Sequence, residues 1–127
     1  MSAVEPTPDS ADLAERIAEI ASDKKAIDIR VIDLRGIVSY TDFFVICSGN
    51  TERQAKAIHD GIYEELKKGG DDRLLPRRTE GAREARWILL DYWDVVVHIF
   101  TPEAREYYRL ENPVSYTHLT LPTILRV

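Results

Sequence analysis

The segment DFFVICS, Asp42 to Ser48, sets five consecutive apolar residues between two polar ends. The run is far too short to cross a membrane, which takes about 20 apolar residues. It also lacks the alternation of a strand with one wet face. It reads as an inner strand of a sheet covered on both sides. The rest of the chain must therefore supply neighbouring strands and at least one layer of helices.

The flanking text supplies both. Asp9 or Ser10 can cap a helix in which Leu13, Ile17 and Ile20 recur at helical spacing, and which ends near Lys24 or Lys25. IDIRVIDL, Ile27 to Leu34, alternates at first and slips phase at Ile32 and Leu34, which predicts a bulge there. After Gly49-Asn50, Thr51 and Gln54 have capping-box spacing, and Ala55, Ile58, Ile62 and Leu66 form the stripe of a second helix that stops at Gly69-Gly70. RWILLD and DVVVHIF make two strands around Tyr92-Trp93, and Thr101-Pro102-Glu103 opens a last helix. With a short extra element around Leu74–Arg77, the order αββαββα predicts a single small mixed sheet with flanking helices, an α/β fold.

At 127 residues the chain is one domain long. Residues 1–8, with two prolines, read as a flexible leader, and the domain runs over residues 9–112. From Pro113 the charge density collapses: Arg126 is the only formally charged side chain among the last fifteen residues. VSYTHLTLPT resembles a translated sequencing adapter, so residues 113–127 read as a non-native tail. The opening MSAVEPTPDS has neither the basic nor the apolar region of a signal peptide, and Cys47 is the single cysteine, so the expectation is a cytoplasmic protein without disulfides.

The net charge is −5, and removing Arg126 with the tail makes it −6. A domain gripping nucleic acid over a wide surface is normally basic, so a basic protein is the better partner. Arg73, Arg77, Arg78, Arg83 and Arg86 crowd one stretch, but Glu80 and Glu84 interleave with them. A solvated loop, with a secondary phosphate contact through Arg77, Arg78 and Arg83, is the reading of that stretch.

The hairpin carries the most information. With Tyr92-Trp93 as a two-residue turn, Asp91 faces Asp94, Leu90 pairs with Val95 and Ile88 with Val97. One face is then wholly aliphatic. The other carries Trp87, Leu89, Val96, His98 and Phe100, with Asp91 and Asp94 at its end. Mixed aromatic surfaces with charged rims serve protein docking, but a helix layer covers such faces equally well. The residues alone leave both readings open.

Catalysis finds little support. A nucleotidyltransferase holds phosphate at a Gly-Ser turn and two metal ions on acids at D-x-D spacing. Ser48-Gly49-Asn50 precedes a helix and can hold an anion, but no D-x-D or D-x-E follows it. Cys47 and His59 have no metal-ligand spacing to His98. Asp42 after Thr41 is expected to tie down a strand end.

SYTDFFVICSGNTERQAKAIHDGI, EGAREARWILLDYWDVVVHIF and TPEAREYYRLE, in that order, resemble the Iojap-related ribosomal silencing factor family (RsfS). The resemblance implies a nucleotidyltransferase-like core without catalytic acids, no cofactor or metal, and a homodimer when free. It implies binding to the large ribosomal subunit through that subunit's fourteenth protein, so that subunit joining is blocked and translation repressed; the arginine-rich stretch adds the expectation of a minor rRNA contact. It places the docking patch on Trp87, Tyr92 and Phe100, with Asp91, Asp94 and His98 as acidic and polar neighbours. The alternative is a nucleotide-binding or nucleotidyltransferase-like enzyme. Two departures stand out: Trp93 occupies a position where the family commonly has glycine, and the last helix runs into the aberrant tail.

Overall fold

A computed structural model describes residues 10–69, 74–108 and 124–125. The leader, Arg73 and most of the tail lie outside the described residues. The elements are α1 (Ser10–Asp23), β1 (Ile27–Asp33), β2 (Phe43–Ser48), α2 (Glu52–Lys67), β3 (Arg78–Glu80), β4 (Trp87–Asp91), β5 (Val95–Phe100), α3 (Pro102–Tyr108) and β6 (Ile124–Leu125). The strands form one mixed sheet in the order β3-β4-β5-β2-β1-β6, with helices flanking it as expected.

The two most apolar strands are the two most enclosed. β2 and β5 run parallel in the middle of the sheet, from Phe43 beside Val95 to Ser48 beside Phe100, and every residue of both is buried. Strand alternation then divides them between two cores. Phe43, Val45, Cys47, Val95, Val97 and Ile99 face α1 and α2, where they meet Leu13, Ile17, Ile58, Ile62 and Leu66. Each such aliphatic side chain gains about 1.5–3 kcal/mol from leaving water. Phe44, Ile46, Val96 and Phe100 face the other way, packed with Ile32, Leu34 and Ala104 of α3.

Local chemistry fixes the element ends. The Thr51 hydroxyl accepts the Gln54 N–H, capping α2. The Gln54 amide does not return to Thr51 as a capping box would; it donates to the Lys24 carbonyl and ties the end of α1 to the start of α2. Thr101 accepts the Ala104 N–H at the head of α3. Ser10 Oγ donates to the Asp42 carboxylate at 2.8 Å, so Asp42 does anchor a strand end, and it anchors α1 with it.

Three boundaries differ from expectation. The bulge in β1 lies between Ile27 and Arg30, not at Ile32; Asp28 absorbs it with a φ of 53°. The short extra element is β3, just after Leu74–Arg77. It forms because Arg78, Thr79 and Glu80 pair antiparallel with Asp91, Leu90 and Leu89. Ile124–Leu125, within the compositionally distinct tail, pairs in parallel with Val31 and Ile32 at the edge of the sheet.

Candidate functional site: an aromatic sheet face

The hairpin between β4 and β5 turns one residue later than expected. Tyr92 N–H donates to the Val95 carbonyl at 2.8 Å, so Trp93 and Asp94 form the tip. Leu90 pairs with Val97 and Ile88 with Ile99. Relative to the expected pairing β5 slides by two residues, an even number, so every side chain keeps its face. The slide follows from what holds the tip. The Asp91 carboxylate accepts the Trp93 N–H at 2.9 Å, while the Asp94 carbonyl accepts N–H groups from Asp42 and Phe43.

One consequence is a correction at Tyr92. It continues β4, follows Ile88 and Leu90 onto the aliphatic side, and is buried in the core under α2. Burial raises its hydroxyl pKa well above the usual phenol value, and Tyr63 adds to the rise. Tyr92 is therefore core, not docking surface. Asp91 needs a second correction: it is no rim charge. It is buried where Arg77, just before β3, and Arg78, at its start, lie against it at 3.1 and 3.9 Å. Asp94 alone of the two acids is exposed.

On the mixed face the aromatic rings order one another. Trp87 Nε1–H donates to His98 Nδ1 at 3.0 Å, so the neutral imidazole carries its proton on Nε2. Nε2 is buried and has no hydrogen-bond partner among the described residues. Burial lowers the His98 pKa to about 3, so the ring is uncharged at neutral pH. Its edge meets Phe44 with centroids 4.6 Å apart, and Trp87 stacks on Phe100 at 5.3 Å. Phe100 itself is fully buried. It supports Trp87 and offers nothing directly to a partner. Trp87 and Leu89 remain half-buried.

Gly81 sets Trp87 in place. It has a φ of 80°, and a Cβ there would lie 2.0 Å from the Trp87 carbonyl oxygen. Only glycine fits so close a backbone approach.

A groove of about 390 Å³ opens on this face. The buried Phe44, Val96 and His98 line it together with half-buried Trp87 and the exposed Tyr40, Arg77 and Arg78. Tyr40 is 58% exposed; no motif pointed to it, because it precedes the strand and only the loop from Leu34 to Asp42 brings it over Phe44. Phe44 was legible in principle, since alternate residues of a doubly covered strand must face both ways.

The three arginines considered for phosphate are not brought together. Arg77 and Arg78 are engaged with Asp91, and Arg78 also with Glu80. Arg83 lies past the Gly81 turn, beside Glu52, Lys56 and Glu84 in a different depression. The turn before α2 is also occupied. Gly49 N–H donates to the Phe100 carbonyl, Ser48 Oγ accepts from Arg105 at 3.0 Å, and Glu52 and Glu103 line the space in front of it. Among the described residues, no group of three or more His, Cys, Asp or Glu is placed to hold a metal, and no helix is long and apolar enough to cross a membrane.

Fold and site thus define a small mixed α/β domain with α1 and α2 packed on one face of the sheet, and α3 and an aromatic groove on the other. Residues 7–112 match the family described as "Ribosomal silencing factor during starvation", and the chain belongs to that family. It is 42% identical over 95 residues to "Ribosomal silencing factor RsfS" of Bacillus subtilis, covering 75% of this chain and 78% of that one. A more distant relative, "Mitochondrial assembly of ribosomal large subunit protein 1" of Mus musculus, is 33% identical over 101 residues, 77% of this chain and 43% of its own. A crystal structure from Chromobacterium violaceum superposes with a TM-score of 0.80 at 26% identity, covering 94% of both chains.

Proposed function

We propose that this protein docks on the large ribosomal subunit through the groove face and thereby blocks joining of the small subunit, repressing translation. The observation that carries the reading is that face: α1 and α2 pack on the opposite side, while Trp87, Leu89 and Tyr40 border an aromatic groove that still reaches solvent. Family membership supports the silencing role, and the name of the mouse relative supports the large subunit. The net charge of −5 suits a basic ribosomal protein, and the fourteenth protein of the large subunit is the proposed contact. In this reading the free protein is a cytoplasmic homodimer, any rRNA contact is minor, and the chain acts by binding and not by catalysis.

Trp87 is the central anchor, because its ring is fixed from beneath by Phe100 and at its edge by His98. Buried aromatic anchors of this kind are worth about 2 kcal/mol or more at an interface. The test is sedimentation of the purified protein with isolated large and small subunits, followed by a subunit-reassociation assay. Comigration with the large subunit alone, weakened by Trp87→Ala together with loss of the block to reassociation, supports the reading. Equal binding to both subunits, or none to either, overturns it.

A further inference from the structure

The hairpin tip holds a residue whose conformation works against its own chemistry. Trp93 has a φ of 75°, a region that costs an L-residue with a large side chain and costs glycine nothing. The Asp94 N–H closes back on the Tyr92 carbonyl at 2.9 Å, making Trp93 the centre of a γ-turn, the strained form for a non-glycine residue. The indole gains little burial in return, since Trp93 is 56% exposed.

What keeps it there is a closed set of contacts. Asp91 accepts the Trp93 N–H on one carboxylate oxygen and binds Arg77 Nε on the other. The Arg77 guanidinium lies over the Trp93 ring, 4.3 Å from its centroid. Backbone, carboxylate, guanidinium and indole thus hold one another, while Trp93 stays largely exposed. The same Arg77 also lines the aromatic groove, so its guanidinium links the indole to that groove.

We infer that Trp93 is a pre-positioned partner-contacting anchor, extending the groove surface toward a protein of the large subunit. The inference rests on the docking reading above and adds a residue to it. A side chain fixed before binding loses little rotamer freedom on contact, and tryptophan is the residue type most often found to dominate interfaces. The partner is a protein surface rather than nucleic acid, because Asp91 and the exposed Asp94 together balance the charges of Arg77 and Arg78 beside Trp93, and the whole chain carries a net charge of −5. Such a rim offers phosphate no net positive charge, and an acidic chain suits a basic protein.

The experiment compares the full chain with Trp93→Gly, Trp93→Asn and Trp87→Ala in binding to purified large ribosomal subunits and to protein-free large-subunit rRNA, alongside thermal melting of each free protein. Glycine and asparagine both accept the positive φ, so either variant keeps the question answerable should the other misfold. The expected result is a Trp93 variant that melts at or above the parent temperature yet binds subunits at least 10-fold more weakly. Unchanged binding by the Trp93 variants, with Trp87→Ala weakened, overturns the Trp93 anchor and leaves the docking reading standing. Absence of binding by the parent protein overturns the docking reading and the anchor with it. Binding to naked rRNA as tight as to subunits, lost with Trp93, makes the partner RNA and overturns the protein assignment.

Discussion

The indole N–H of Trp87 donates to Nδ1 of His98 at 3.0 Å, and this bond exists only while the imidazole is neutral. His98 has an ordinary pKa near 6.5 when unfolded and about 3 when buried. The unfolded chain therefore binds a proton between those values that the folded chain does not. Stability from this group is complete above pH 6.5 and is lost as the pH falls toward 3, at about 1.4 kcal/mol per pH unit once well below 6.5. Urea unfolding at pH 7.5, 5.5 and 4.5 should show this slope in the parent, and His98→Phe should flatten it. A variant with an unchanged slope would refute the assignment.

Gly81 is predicted to be irreplaceable. Alanine there must bear both a φ of 80° and a Cβ 2.0 Å from the Trp87 carbonyl oxygen, and neither backbone can yield without disturbing the β3–β4 pairing. The expected loss on Gly81→Ala is about 2–4 kcal/mol, above the ~1 kcal/mol for a positive φ alone. Thermal or denaturant unfolding measures it. A loss under 1 kcal/mol would mean that the turn relaxes freely.

The aliphatic core was legible in the sequence because β2 is written as an unbroken apolar run, and because a two-residue slide of the hairpin leaves its faces intact; burial of the mixed face was left open there. What was not legible depends on atoms distant along the chain. Tyr92 has the same composition cues as a docking aromatic, and only the Asp91 contact to the Trp93 N–H, together with the Asp42 and Phe43 bonds to Asp94, shifts the turn and sends its ring into the core. Asp91 looked like a rim charge until β3, three residues without apolar content, paired beside it. Tyr40 entered the groove through a loop with no periodicity to read.

Cys47 should behave as an inert thiol. It has no exposed surface, and burial pushes its pKa up to about 12 despite the nearby Arg105, so neither access nor thiolate is available in the native state. Its strand is central, between β1 and β5, and opening it requires most of the fold to open. Labelling by an aromatic disulfide reagent at pH 8 should be slower than in denaturant by ~10³-fold or more, following the global unfolding equilibrium. Labelling within 10-fold of the denatured rate would reveal local opening of the sheet.

Asp91 gives the sharpest separation of charge from shape. Its carboxylate is almost wholly buried while its partners Arg77 and Arg78 are about half exposed, so screening weakens the attraction on the arginine side and the loss falls below the 3–5 kcal/mol of a fully buried pair. Asp91→Asn keeps an oxygen for the Trp93 N–H but removes the charge and replaces the oxygen that accepts from Arg77 Nε with an amide N–H donor; about 1 kcal/mol or somewhat more should go. Asp91→Ala also strands that N–H and frees Arg77 from its position over the indole, which raises the expected loss to about 2–3 kcal/mol. Denaturant unfolding of both variants, with near-ultraviolet circular dichroism reporting the indole environment, checks the order. Equal losses with an unchanged aromatic signal would mean that the hairpin tip holds its shape without the carboxylate, and that its conformation is set by the Asp42 and Phe43 bonds to Asp94 alone.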